Sequence, residues 1–391
     1  MVLSTWKSLP LLLLPLLLVS FSVYPEWVSF PSCNIVPNPN PNPILNGTQS
    51  DEVDDTPRDN LKVMLVSSLL LMGSDSALFN FDFRDYYLSK FFSKSFRVVK
   101  PDMLLILGDV AAKGSRLSRT QWISVLHQFH RVLGPFLDLP FHVVLGDRDV
   151  GDCGGLDHDS VYWIARSFPG LDSSGCGAFE IGNVSFVSLN AVALLCGDNV
   201  LRFSVEKAIE MERNGYGLDD SRKFGEVTDK FGLGGNNGLS SGSNPVLLLH
   251  MPLHRTVNES CKVTHSAGES REFSNGVGPY ELMHTVPQNA TEYLLLALKP
   301  RIIFSAHAHE FCDHIHPDGT REVTVPAMSW KARVDPGFVV ATFQNDKKSV
   351  SVSYCSLAKE SHVLMAYTAV GVLSLTVWLL MNTTYLGCLQ K

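Results

Sequence analysis

Four apolar runs along the chain each stop at a residue able to bind a metal ion. Residues 103–107 (MLLIL) lead into Gly108 and Asp109, and residues 142–145 (HVVL) into Gly146 and Asp147. Residues 246–249 (VLLL) lead into His250, and residues 302–304 pass through Ser305 and Ala306 to His307 and His309. Short apolar runs bounded by turn residues predict buried strands, and open α/β sheets build their sites at the carboxyl ends of such strands. Residues 62–67 (KVMLVS) and 184–189 predict two more strands. Residues 83–96 carry aromatic and basic residues at helical spacing. In residues 118–133, Trp122, Val125, Leu126, Phe129 and Leu133 fall on one helical face. Residues 322–325, 338–343 and 349–354 predict closing strands, expected to be antiparallel because their connections are too short for crossover helices. Strand–helix alternation followed by a strand-rich end predicts a layered α/β sandwich.

The ends of the chain have a different pattern. Residues 9–24 are almost wholly apolar and follow Lys7, the layout of a signal peptide or signal anchor. Residues 363–381 carry no charge and are long enough to cross a bilayer. Lys7 and Lys391 lie outside these two segments, which places both ends in the cytosol and the bulk of the chain in the lumen. Residues 25–60, with PNPNPNP at 37–43 and an acidic run at 51–55, read as a disordered linker. The folded domain is expected over residues 61–356. Glycosylation sequons at Asn46, Asn183, Asn258 and Asn289 accord with a lumenal domain. Seven cysteines would share its oxidising compartment, an odd number whose pairing the sequence leaves open.

With 45% hydrophobic residues, the chain can bury a sizeable core. Its net charge of −7 excludes nucleic acid as a partner, since phosphate contacts need clustered Lys and Arg. An anionic substrate still fits if a metal supplies local positive charge. Asp109, Asp147, His250 and His307 offer a mixed oxygen and nitrogen shell, which suits Mn, Fe or Zn better than Ca or Mg. The glycine before each aspartate lets the backbone turn its carboxylate inward.

These motifs resemble the calcineurin-like metallophosphoesterases, whose blocks are Asp-x-His, Gly-Asp-x-x-Asp-x-Gly, Gly-Asn-His-Asp, a lone His, and Gly-His-x-His. The chain is most similar to the membrane-bound subfamily that removes ethanolamine phosphate from the glycan of glycosylphosphatidylinositol (GPI) anchors. That likeness is carried by LLLHMPLHR (247–255), AHAHEFCDHIH (306–316) and VPAMSWKARVDPGF (325–338). It implies a four-layer α/β/β/α sandwich with mixed sheets, flanked by two membrane segments. It also implies a divalent metal (Mn foremost, Fe or Zn otherwise) and phosphodiester hydrolysis on GPI glycans or GPI-anchored proteins at an ER or ER–Golgi membrane. By resemblance, Asp109 is the carboxylate that touches both metals. Asp147, His250 and His307 complete one site with it, and His309 belongs to the other. Arg148 and Asp149 stand at the catalytic end of the third block. There are departures: Ser68 and Leu70 occupy the Asp-x-His positions, Ala112 replaces the second Asp of its block, and Arg148 replaces the His beside the phosphate. The second metal keeps only Asp109 and His309, unless water or a carboxylate such as Asp75 fills in. A catalytically impaired protein that binds or escorts GPI-anchored proteins is the alternative reading.

Overall fold

The computed structural model describes residues 17, 19, 23–36, 60–73, 78–196, 200–215, 244–255, 284–344 and 350–389. Strands β1 (Ser32–Val36) and β2 (Leu61–Val66) are followed by helix α1 (Leu78–Val99), β3 (Met103–Leu107), α2 (Arg119–Leu133), β4 (Phe141–Val144) and a single turn, α3 (Asp147–Val150). Next come α4 (His158–Ala165), the hairpin of β5 (Gly177–Ile181) and β6 (Val184–Ser188), α5 (Ala191–Leu195), α6 (Val200–Gly215) and β7 (Val246–Leu248). The remainder is α7 (Gln288–Leu298), β8 (Ile302–Ser305), β9 (Cys312–Ile315), β10 (Arg321–Thr324), β11 (Gly337–Phe343), β12 (Val350–Ser356) and α8 (Glu360–Leu389).

The strands form two mixed six-stranded sheets, ordered β1-β12-β11-β2-β3-β4 and β5-β6-β7-β8-β10-β9. Alternation along each strand explains why the sheets stack. In β2 and β3, Leu61, Val63, Leu65, Met103, Leu105 and Leu107 enter one apolar layer with Phe186, Leu248 and Phe304 of the second sheet. Met64, Val66, Leu104 and Ile106 point the other way, into a cluster with Phe91, Trp122 and Phe129 of the helices. Successive side chains leave opposite faces of a strand, so a strand buried on both faces reads as a continuous apolar run. Helix α2 starts where the apolar periodicity begins. Ser118 caps it, and Gln121 closes a capping box.

Three expectations change. The segment read as a linker contains β1, which pairs with β12 at the sheet edge and is tied to it by the Cys33–Cys355 disulfide. Strand β10 is antiparallel to β9 but parallel to β8. The chain reaches the sheet edge as β9, turns back, and inserts β10 beside β8, so a strand serves as the crossover. Of the two expected membrane segments, the first falls largely outside the described residues. Among the described residues one stretch, Glu360–Leu380 of α8, is long and apolar enough to cross a bilayer.

A second disulfide joins Cys153 to Cys196, and Cys312 is disulfide-bonded as well. Cys176 is a buried free thiol, which accounts for the odd cysteine. Asn183 and Asn289 of the sequons are exposed; Asn46 and Asn258 lie outside the described residues.

Candidate metal centre

Strands β2, β3 and β4 are parallel neighbours in one sheet, and β7 and β8 are parallel neighbours in the other. Their carboxyl ends meet at one rim, where Ser68, Asp109, Asp147, His250 and His307 follow the five strands. The chain must leave each strand and present a side chain within a residue or two. It does so with left-handed backbone at Ser68, Leu70, Asp109, His307 and His309, with φ between 52° and 61°. A non-glycine residue in that region costs about 1–3 kcal/mol and persists only where its surroundings over-determine it.

Three side chains converge. Asp147 Oδ1 lies 2.9 Å from His250 Nε2 and 3.0 Å from His307 Nδ1, and the two ring nitrogens are 3.3 Å apart. Among the described residues, Asp147, His250 and His307 are the one group spaced to hold a metal ion. The donor set fits a divalent transition ion. Edges near 3 Å between ligand atoms suit bonds of about 2.0–2.2 Å to a shared centre. The outer nitrogens are engaged too. His250 Nδ1–H donates to the Leu107 carbonyl at 2.8 Å, which turns Nε2 toward the centre. His307 Nε2 lies 2.9 Å from Nδ1 of His284, whose ring stacks on it at 5.2 Å. With a metal on His307 Nδ1, Nε2 would carry the proton and donate to His284 Nδ1.

The glycines serve close approach. A Cβ on Gly108 would lie 2.2 Å from His250 Nδ1, and one on Gly146 would lie 2.4 Å from Asp109 Oδ1. Gly108 also takes a φ of +82°, as expected of a turn, whereas Gly146 has no positive φ and is needed for space alone.

Asp109 flanks the triad, with Oδ1 3.4 Å from His250 Nε2. Its Oδ2 is buried and makes no hydrogen bond; the nearest cation is Arg148, whose half-exposed side chain places Nε 3.5 Å away. Burial pushes the Asp109 carboxyl up, with His250 pulling against it. Burial acts the same way on Asp147, but hydrogen bonds from His250 and His307 hold that carboxyl well below the usual range. Burial lowers His250, yet the Asp109 and Asp147 carboxylates raise it to about 9.

Two of the expected site residues have partners outside the triad. Asp149, expected to be catalytic, turns away from the centre. Its carboxylate accepts from the backbone N–H groups of Asp109 (2.9 Å), Ala111 (2.8 Å) and Gly146 (3.0 Å), so it ties the two aspartate loops together. His309, expected to ligate a second metal, lies outside the triad, with its Nδ1 3.1 Å from Ser68 Oγ. Leu70 is buried at the other vacant position. Asp75 lies outside the described residues.

Other residues hold the loops that carry the site. Glu322 is fully buried and accepts from Leu253 N–H (3.1 Å) and Ser305 Oγ–H (2.6 Å), joining the loops that carry His250 and His307. In the block at 325–338, Met328 N–H donates to the Ser67 carbonyl, Lys331 Nζ to the Leu70 carbonyl, and Arg333 to the His309 carbonyl. That block therefore braces the Ser68–His309 side of the rim.

No protein-family model matches the chain. Metallophosphoesterase 1 of Rattus norvegicus is 30% identical over 288 residues, covering 73% of this chain and 69% of the relative. The chain belongs to the metallophosphoesterase 1 family. The metallophosphoesterase 1 homolog of Drosophila melanogaster is 26% identical over 298 residues, 75% of each chain. Among solved structures, a dimetal phosphatase from Danio rerio has 12% identity and a TM-score of 0.43, covering 75% of this chain and 98% of that one. A purple acid phosphatase from yellow lupin has 14% identity and a TM-score of 0.44, covering 78% and 55%. This member of the metallophosphoesterase 1 family has a braced Asp147–His250–His307 triad and a Ser68–His309 pair beside it.

Proposed function

We propose that this chain holds one divalent metal ion at Asp147, His250 and His307 and hydrolyses a phosphodiester, the ethanolamine phosphate of a GPI-anchor glycan. The carrying observation is the convergence of those three ligand atoms at the strand ends, each ligand held by a neighbour, in a chain of the metallophosphoesterase 1 family. When bound, a divalent ion polarises a phosphoryl oxygen and lowers the pKa of water. Manganese leads, with iron or zinc as the other choices. The residues do the positioning. Asp149 fixes the Asp109 and Gly146 backbones, His284 and Leu107 orient the imidazoles, and Arg148 pairs with a phosphoryl oxygen from the open side. The GPI glycan is favoured by the likeness of residues 325–338 to the subfamily acting on it, and by an apolar helix that keeps the domain at the membrane bearing GPI-anchored proteins. The disulfides suit an oxidising lumen, placed here in the ER or ER–Golgi membrane.

A second reading is favoured by Ser68 and Leu70. With one metal and no second ligand cluster among the described residues, the chain would bind the phosphodiester and escort GPI-anchored proteins without cutting. One experiment separates the two: metal content and phosphodiesterase activity of the purified full-length chain beside His250→Ala. About one tightly held ion, with turnover abolished in the variant, supports hydrolysis. Metal with substrate binding but no turnover supports the escort. A chain that holds no metal sinks both.

A further inference from the structure

Helix α8 is locked to the domain at its start. Arg84 of α1 makes a bidentate ion pair with Glu360, Nε–Oε1 2.7 Å and Nη2–Oε2 3.1 Å. Two turns on, Tyr367 shares a 2.7 Å hydrogen bond with Tyr87 of α1, and its ring meets Tyr24 edge-on at 5.8 Å. Residues 23–28 are helical and run beside α1, where Glu26 forms ion pairs with both Lys90 and Lys94. Three helical segments thus share one aromatic junction.

The junction has an outer face that is exposed among the described residues. Trp27 is 73% exposed, Phe30 47% and Tyr86 46%. Lys94 sits over the Phe30 ring at 4.8 Å and Lys90 over the Tyr86 ring at 5.5 Å. Val23 in the same helical segment as Trp27, and Leu364 and Met365 in the first turns of α8, are exposed too. Exposed aromatic rings are what a lipid–water interface selects, because the rings are amphipathic; the ammonium groups of Lys90 and buried Lys94 are held by Glu26 and brace the rings from within.

We propose that Trp27, Phe30 and Tyr86, braced by the Glu26–Lys90 and Glu26–Lys94 ion pairs, form a seat that lies in the phospholipid headgroup layer where α8 enters the bilayer. The occupant follows from continuity. The Glu360–Arg84 pair has to stay out of hydrocarbon, whereas an 18-residue window within Glu360–Leu380 has a mean hydropathy of 2.0 and only 11% of that window is buried. The boundary therefore falls within the first turns of α8, the level of Tyr367 and Tyr24, and Trp27 lies one helical turn from Tyr24. Such a seat fixes the tilt of the domain on the membrane, which a lone tether through α8 does not. The proposal rests on α8 spanning the bilayer.

The test uses the full-length chain in phosphatidylcholine nanodiscs, plain or brominated on the upper acyl carbons. Subtracting the emission of Trp27→Phe from that of the unaltered chain isolates Trp27, and Trp378→Phe isolates a tryptophan within α8. The expected result is a blue-shifted Trp27 that loses roughly half its emission in brominated discs, as indole at headgroup level does. If Trp378 is quenched while Trp27 emits as in water, the seat is overturned and the span stands. If neither is quenched, the span fails and the seat with it.

Discussion

Ser68 Oγ stands 3.1 Å from His309 Nδ1, and both residues hold left-handed backbone, with φ of 52° and 59°. The turn keeps the strained backbone of a ligand-presenting loop, but its side chains are a hydroxyl and, two residues on, the buried Leu70. The His309 ring is kept neutral here, its pKa lowered to about 4 by burial and by His307 and His250. A neutral imidazole bonded to a hydroxyl is one substitution away from being a ligand. Ser68→Asp combined with Leu70→His should raise the bound metal from about one ion per chain to about two, read by elemental analysis of the purified protein. An unchanged content would mean that the rim has lost more than these two side chains.

Glu322 holds the two histidine loops together from beneath. Burial opposes its ionisation, but Arg255 and His316 keep the carboxyl ionised, at about 2. Glu322→Gln removes that charge and turns an amide toward groups that also donate. Loss of one member of a buried charged network costs about 3–5 kcal/mol. The one remaining oxygen can accept from Leu253 and Ser305 or face Arg255 and His316, but not both, so metal affinity should fall by about 10–100-fold, as for an outer-shell partner. Competition against a chromophoric chelator measures it. A variant that is less stable yet binds metal as before would make Glu322 a packing residue only.

His142 on β4 makes a pH-dependent contribution away from the metal. It is buried, its Nε2 lies 2.7 Å from Ser188 Oγ, and burial lowers its pKa to about 4. Above the unfolded value of about 6.5 both states are neutral and the group contributes nothing to the pH slope. As pH falls from there to about 4 the unfolded chain takes up the proton first, so stability is lost, on the order of 3 kcal/mol in full. His142→Gln keeps a partner for Ser188 without titrating. In chelator, urea unfolding between pH 7 and pH 4 should be flatter for the variant; matching slopes would contradict the assignment.

Much of this architecture was legible in the apolar runs because β3, β4, β7 and β8 are buried on both faces, and a strand of that kind leaves no polar alternation to misread. Their ends carried Asp109, Asp147, His250 and His307 for the same reason: a short turn after a buried strand has few residues to spare. Strand β1 was not legible. Its five residues, SCNIV, adjoin a proline-rich stretch, and their partner Cys355 lies 322 residues away. Asp149 was misjudged because a carboxylate in a ligand-rich turn looks the same whether it faces the metal or its own backbone. His284 carries no pattern at all. Its place is set by stacking on His307, a tertiary contact.

Lys331 joins the α1 and α8 side of the domain to the Ser68–His309 side of the rim. Its Nζ donates to Asp85 Oδ1 at 2.9 Å and lies 3.3 Å from the Leu70 carbonyl. Gln128 donates to the other Asp85 oxygen at 2.7 Å and accepts from Gly73 N–H at 2.8 Å. The neighbouring Trp330 packs on Phe83, Tyr87 and Phe91 and donates to the Ala358 carbonyl just before α8. Burial raises the Asp85 carboxyl even with Lys331 beside it. Lys331→Met leaves that carboxylate without its cation and should cost about 3–5 kcal/mol at neutral pH. The folded pKa of Asp85 then rises further above its unfolded value, so the folded state binds more protons. The loss should therefore be largest at pH 7 and shrink as pH falls through the raised pKa. Adding Asp85→Asn removes the charge and should recover most of the stability, giving a coupling that a double-mutant cycle reads directly. Losses that simply add, with no dependence on pH, would mean that the pair is not the link between α1 and the rim.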